Sequence, residues 1–122
     1  MSQITGVIHF TFHPGQAERF LELSAQARGL VEANEPGTTR YDVFLSPDRR
    51  QATVIEEYVD FDAAMAHQHN MGEELNAAIV ETASDVHGEI LGDIPVDVAE
   101  SLVGTSASPF LTVFRSDLAE RA

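Results

Sequence analysis

The strand-forming stretches of this chain carry apolar residues on both of their sides. In ITGVIHFTF (4–12), Ile4, Gly6, Ile8, Phe10 and Phe12 fall on one side of an extended strand. Val7 stands on the other, among Thr5, His9 and Thr11. TRYDVFLS (39–46) sets Val43 against Phe44, and QATVIEEYV (51–59) sets Val54 against Ile55. A sheet with one wet face alternates cleanly between apolar and polar, whereas a sheet apolar on both faces has to cover both. Helices from the same chain cover one of them. A chain of 122 residues is enough for a single domain, 1–122, and hardly for two. The cover expected for the second face is therefore another copy of the chain, in a twofold homodimer whose sheets pack face to face.

The helices announce themselves between the strands. HPG (13–15) turns the first strand into QAERFLELSAQARGLVEAN (16–34), where Ala17, Phe20, Leu21, Leu23, Ala27, Leu30 and Val31 recur at helical spacing. EPG (35–37) ends that helix, with Pro36 unable to continue it and Gly37 suited to a tight turn. The strands 39–46 and 51–59 form a hairpin around PDRR, with a loop longer than two residues. Asp60 is placed to cap a helix over 61–70 that resumes, after a break at Gly72, through Val86; its inward stripe is Leu75, Ala78, Ile79 and Ala83. Extended character returns over 87–94. A short helix over 95–104 and a last strand over 109–117 complete the pattern. The order β-α-β-β-α-β predicts an α+β fold: a ferredoxin-like split βαβ sheet with two helices on one face.

Composition narrows the chemistry. With no cysteine there are no disulfides, thiolate ligands or cysteine nucleophiles, and with no lysine there is neither a Schiff base nor a P-loop. Twenty acidic against seven basic residues give a formal charge of −13, which repels phosphate backbones and anionic lipid, so neither nucleic acid nor membrane is an expected partner. No apolar run approaches the roughly 20 residues that span a bilayer. The N-terminus has no basic segment ahead of its apolar residues, and a cytoplasmic location is expected. His67 and His69 do not make a metal clasp, because residues i and i+2 of a helix point about 200° apart. No metal is expected.

One long segment carries a family likeness. NEPGTTRYDVFLSPDRRQATVIEEYVDFDAAMAH resembles the antibiotic biosynthesis monooxygenase superfamily, in its quinol-monooxygenase-like branch. The resemblance rests on Pro36 and Gly37 after the first helix, on Tyr41, Asp42 and Phe44 in one strand, and on Glu56 and Tyr58 in the next. Asp60, Ala64, Ala66 and His67 then open the second helix. It implies a dimeric α+β barrel with a small apolar cavity between sheet and helices in each subunit. Haem degradation, known in one branch, is disfavoured. The first strand offers Ile8 and His9 where that branch has asparagine, Tyr58 stands near the place of its tryptophan, and 72–84 lacks its histidine.

Within the implied cavity, Val54, Glu56 and Tyr58 share one strand face, and His67 overhangs it from the next helix. Ile8, Phe10, Phe20, Phe44 and Phe61 are the candidate substrate-binding walls. A buried carboxylate beside a phenol and an imidazole is a group able to deprotonate a hydroquinone or an anthrone. His67, Glu56 and Tyr58 are thus the candidate catalytic residues of a monooxygenase that needs no cofactor and takes a small aromatic ligand. A purely structural role stands beside this: Glu56 paired with Arg40, Tyr58 in the core with its hydroxyl at the rim, and His67 bonded to a backbone carbonyl. The same cavity suits a non-catalytic binding module, or a polyketide cyclase or isomerase. His9 is expected to face the dimer partner, His13 to lie in a turn and His87 to precede a strand.

Overall fold

The computed structural model describes residues 3–94, 97 and 111–115. Its elements run β1 (Ile4–Phe12), α1 (Ala17–Asn34), β2 (Thr38–Leu45), β3 (Gln51–Tyr58), α2 (Phe61–Glu81), β4 (Ala83–Gly92) and β5 (Leu111–Arg115). The strands form one sheet in the order β2-β3-β1-β4-β5, antiparallel throughout except where β5 lies parallel to β4. This is the expected α+β, ferredoxin-like arrangement with an extra edge strand. The helix foreseen over 95–104 and the two ends of the last strand lie outside the described residues, Asp97 excepted.

Register decides which side chains meet the helices. On β1, Ile4, Gly6, Ile8 and Phe10 lie opposite Tyr58, Glu56, Val54 and Ala52 of β3, so these eight share the helix-covered face. Phe10 and Phe12 each pack there on Phe20 with ring centroids 4.9 Å apart, and Ala17, Ala52 and Val54 close the cluster. Burying one such side chain is worth about 1.5–3 kcal/mol. Leu23, Ala27 and Val31 of α1 meet Met71 and Leu75 of α2 in a second cluster, which joins the helices to one another. Ser24 is buried with them, a position too polar to read as part of the apolar stripe.

Helix α2 differs from expectation at its end. It stops at Glu81, and β4 begins at Ala83, four residues before the expected start at His87. Thr82 turns its hydroxyl back onto the carbonyl of Ile79 at 2.7 Å, while its own carbonyl accepts from His13 at 2.9 Å. The Thr-Ala-Ser-Asp run competes poorly for helix, and β1 offers Val86, Gly88 and Ile90 a pairing edge. His87 therefore sits within β4, its ring stacked 4.9 Å from that of His9. The break at Gly72 is present. Its φ of 77° and ψ of 163° belong to a region that is essentially glycine-only, where another residue costs about 1–3 kcal/mol. Gly37 lies in the expected turn, closed by the Thr38 amide on the Glu35 carbonyl at 3.2 Å. It has a second reason: a Cβ there would lie 2.7 Å from the Cβ of Ala63, so its absence lets the start of β2 approach α2.

The opposite face of the sheet carries no helix among the described residues. By register it presents Val7, Ile55, Leu91 and Phe114 together with Thr5, His9, Glu57, His87 and Glu89. Phe44 belongs here too, because it pairs with Thr53 and not with an inward residue of β3. It is 49% exposed, with Leu91 at 41% and Phe114 at 51%. The wall role expected of Phe44 is thereby overturned. A five-residue loop, 46–50, sets the hairpin so that the odd-numbered residues of β2 share a face with the even-numbered residues of β3. A one-residue change of register would have reversed every side chain.

Candidate active site

The same register brings Tyr41, and not Arg40, opposite Glu56. Arg40 turns to the other face and pairs with Asp42 at 2.6 Å and Glu57 at 3.3 Å, so the Arg40–Glu56 pair expected as the structural alternative does not form. A bulge between Thr38 and Arg40 then sets Thr38 inward, opposite Tyr58. On the helix side, His67 lies on the inward face of α2 and is 7% exposed, while His69 two residues on is exposed.

The imidazole of His67 stands between two carboxylates. Its Nδ1 lies 2.8 Å from Glu35 Oε1, and its Nε2 lies 2.9 Å from Glu56 Oε1. Neither contact is the backbone carbonyl expected under the structural alternative. A neutral imidazole has one N–H and one lone pair, so it satisfies only one ionised carboxylate. With both carboxylates ionised, the geometry requires the imidazolium. Burial alone pushes the pKa of His67 down, but the hydrogen bond and charge of Glu56, followed by those of Glu35, outweigh it and raise the value. Both ring nitrogens of His67 face carboxylate oxygens, an arrangement that favours the protonated ring.

Each carboxylate is fixed from further sides. Tyr58 donates to Glu56 Oε1 at 3.0 Å. Its hydroxyl is therefore not at a rim, and burial followed by the charge of Glu56 keeps the phenol protonated by pushing its pKa up. Glu35 accepts from Thr38 Oγ1 at 2.7 Å and from Asn70 Nδ2 at 2.6 Å. Asn70 Nδ2 also reaches the carbonyl of Leu30 at 3.1 Å, tying α2 to the end of α1. Burial disfavours the charge of Glu35, yet the donors Asn70 and Thr38 and the cation of His67 together hold its carboxyl below the ordinary 4.5.

Sequence reading missed Glu35 and Asn70. The signal for Glu35 was present: it follows the last turn of α1, which has no basic residue, and a carboxylate at a helix C-terminus is disfavoured by the helix dipole. An acid in that place implies a partner elsewhere.

One oxygen of the cluster remains uncommitted. Both contacts to Glu56 fall on Oε1, and among the described residues Oε2 accepts no hydrogen bond. Oε2 reaches over β1 at Gly6, where a Cβ would stand 3.5 Å from it and 3.5 Å from Ile90 Cδ1. The rings of Tyr41 and Tyr58 flank His67 at 5.8 and 5.5 Å. Phe61 packs with Tyr58, Ile4 and Ile94, whereas Ile8, Phe10 and Phe20 belong to the neighbouring core cluster, linked to the polar group through Tyr41. Glu56, Tyr58 and His67 are thus brought together; Phe61 lies beside them, Ile8, Phe10 and Phe20 one layer away, and Phe44 across the sheet. Among the described residues no group of three or more acidic or histidine side chains is arranged to hold a metal ion, and no helix is long and apolar enough to cross a membrane.

Residues 4–80, which include every member of this cluster, match the family model described as antibiotic biosynthesis monooxygenase. The chain belongs to the antibiotic biosynthesis monooxygenase family. Among solved structures it is similar to MupZ from Pseudomonas fluorescens, at 24% identity and a TM-score of 0.74, over 93% of this chain and 89% of that one. A protein from Shewanella oneidensis is 26% identical, with a TM-score of 0.59 over 75% of this chain and 90% of that one. SnoaB from Streptomyces nogalater, a cofactor-independent oxygenase, is 24% identical, with a TM-score of 0.60 over 72% of this chain and 89% of its own. No curated protein matches the chain in sequence. The family model spans β1 through α2, the part of the chain that builds the cluster.

Proposed function

We propose that the protein is a cofactor-independent monooxygenase acting on a quinol or an anthrone-like polycyclic aromatic, with Glu56 as the base. The observation that carries this reading is the Oε2, without a hydrogen bond among the described residues, of a carboxylate whose other oxygen is pinned by a phenol and an imidazole. A carboxylate so held is oriented and partly dry, as a general base needs to be. In this scheme Oε2 takes a proton from the activated methylene or phenolic oxygen of the substrate. The carbanion or phenolate gives one electron to O2, the radical and superoxide combine at a carbon that still carries a hydrogen, and the proton taken by Glu56 completes the hydroperoxide. Loss of water across the C–O–O–H group leaves the ketone: one oxygen atom enters the product and the other leaves as water. No outside reductant is required. The cation of His67 faces the charge that develops, and Tyr58 keeps Glu56 in place. The cofactor-independent oxygenase SnoaB supports this direction through its fold.

Oxygen consumption with anthrone and hydroquinone panels tests the proposal. Uptake matched by stoichiometric ketone from an anthrone, or by hydroxyquinone from a hydroquinone, is expected, without hydrogen peroxide. Binding of these compounds without uptake would instead mark a non-catalytic binding module of the same family, the second reading.

The reading includes a homodimer. Phe44, Leu91 and Phe114 are each about half exposed on the helix-free face, alongside Val7 and Ile55, and a second copy offers the same apolar strip in return. Sedimentation equilibrium is expected to give twice the chain mass of 13.3 kDa, and Phe44→Glu is expected to shift it to the monomer. A wild-type monomer at tens of micromolar would end the dimer reading.

A further inference from the structure

A depression of about 150 Å³ opens beside the cluster, between α1 and the start of β2. Arg28, Val31 and Glu32 line it from the helix, and Thr38, Arg40 and Tyr41 from the strand. Tyr41 is the shared wall, since its ring also lies 5.8 Å from that of His67. The two arginines at this depression are not alike. Arg40 is spent on Asp42 and Glu57. Arg28 donates one bond, from Nη2 to the carbonyl of Tyr41 at 3.3 Å, and among the described residues it forms no ion pair. Its charge is felt at the Tyr41 phenol, where it opposes the effect of burial and of Glu56. A guanidinium held by one neutral carbonyl keeps several N–H donors in a planar fork suited to a carboxylate. Among the described residues Arg28 thus lends its charge to no ion pair, although Glu32 lies one helical turn away on the same wall, and its guanidinium stands at the lip of the depression open to a ligand.

We infer that this depression is the recognition subsite for an anionic group, and that the ligand of the protein is an aromatic hydroxy acid whose carboxylate pairs with Arg28. The inference rests on the proposed function, because it supposes that Glu56 receives the hydroxylated end of the same molecule. Glu32 on the same wall opposes anions, so it sets the affinity and its removal tightens binding.

The test is calorimetric titration of 2,5-dihydroxybenzoate and hydroquinone into the full chain and into Arg28→Gln and Glu32→Gln. Both residues are exposed, so circular dichroism should show the fold intact. The wild type should bind the benzoate about tenfold more tightly than hydroquinone, the order expected of one charge-assisted contact at a part-exposed site. Arg28→Gln should lose that advantage and leave hydroquinone unchanged, while Glu32→Gln should increase it severalfold. Equal affinity of the wild type for the two ligands, or an advantage retained in Arg28→Gln, overturns the subsite and spares the quinol reading. Binding of neither ligand overturns both.

Discussion

Replacing Glu56 by glutamine should lower oxygen uptake with anthrone or hydroquinone by about 10²–10⁴-fold, the usual worth of a positioned general base. The amide still offers an oxygen to Tyr58 and to His67 Nε2, so the hydrogen bonds that hold the side chain have a replacement. What is lost is the oxygen over Gly6 that accepts a substrate proton. The decrease should therefore appear mainly in kcat, with ligand affinity nearly preserved, because an interaction made only as the proton moves does not hold the ground state. Product analysis beside the oxygen electrode distinguishes true turnover from slow autoxidation. Full turnover in Glu56→Gln would remove this carboxylate from the chemistry, and uptake lost together with affinity would make it a binding group.

This assignment depends on a register that the strands alone do not reveal. Apolar content on both sides of β1, β2 and β3 shows that two faces need cover, but not which face of β2 meets which face of β3. Phe44 and Tyr41 are equally plausible inward residues until the loop 46–50 fixes the parity, and it selects Tyr41. The elements, by contrast, are written locally: Pro36 ends one helix, Asp60 caps the next by accepting from the Ala63 amide at 2.8 Å, and Gly72 breaks it. Helical spacing also separates His67 from His69 correctly, inward from outward. The polar cluster lies between these extremes. Glu56 and Tyr58 are two residues apart on one strand and legible as a pair, whereas the Glu35–His67 contact joins residues 32 apart through the packing of two helices. A sequence gives the unfavourable site of Glu35 at a helix end; only the packed fold supplies the cation that makes the site tolerable.

That cation makes Glu35 the member on which stability turns. Its side chain is 2% exposed and that of His67 9%, so solvent does little to screen the pair. Glu35→Ala leaves the Nδ1 of His67 and the donors of Thr38 and Asn70 without their acceptor, a loss of about 3–5 kcal/mol for breaking a buried, hydrogen-bonded pair. Glu35→Gln keeps an acceptor oxygen, removes the charge, and should cost less. The pH dependence separates the two halves of the interaction. The carboxyl of Glu35 is held below its unfolded value of 4.5, so its contribution is present above that pH and disappears as pH falls through the folded value. The imidazole of His67 is held above its unfolded value of 6.5, so its contribution is complete below that pH and fades as pH rises through the folded value. Thermal unfolding across pH 3–9 should therefore show a stability plateau from about pH 4.5 to 6.5 that declines on both sides. In Glu35→Gln the acid-side decline should weaken and the alkaline decline should move to lower pH, because one of the two charges holding the imidazolium is gone. An alkaline limb unmoved by that substitution would mean that Glu56 alone sets the charge of His67, and Glu35 would then be a capping acid and no part of the site's electrostatics.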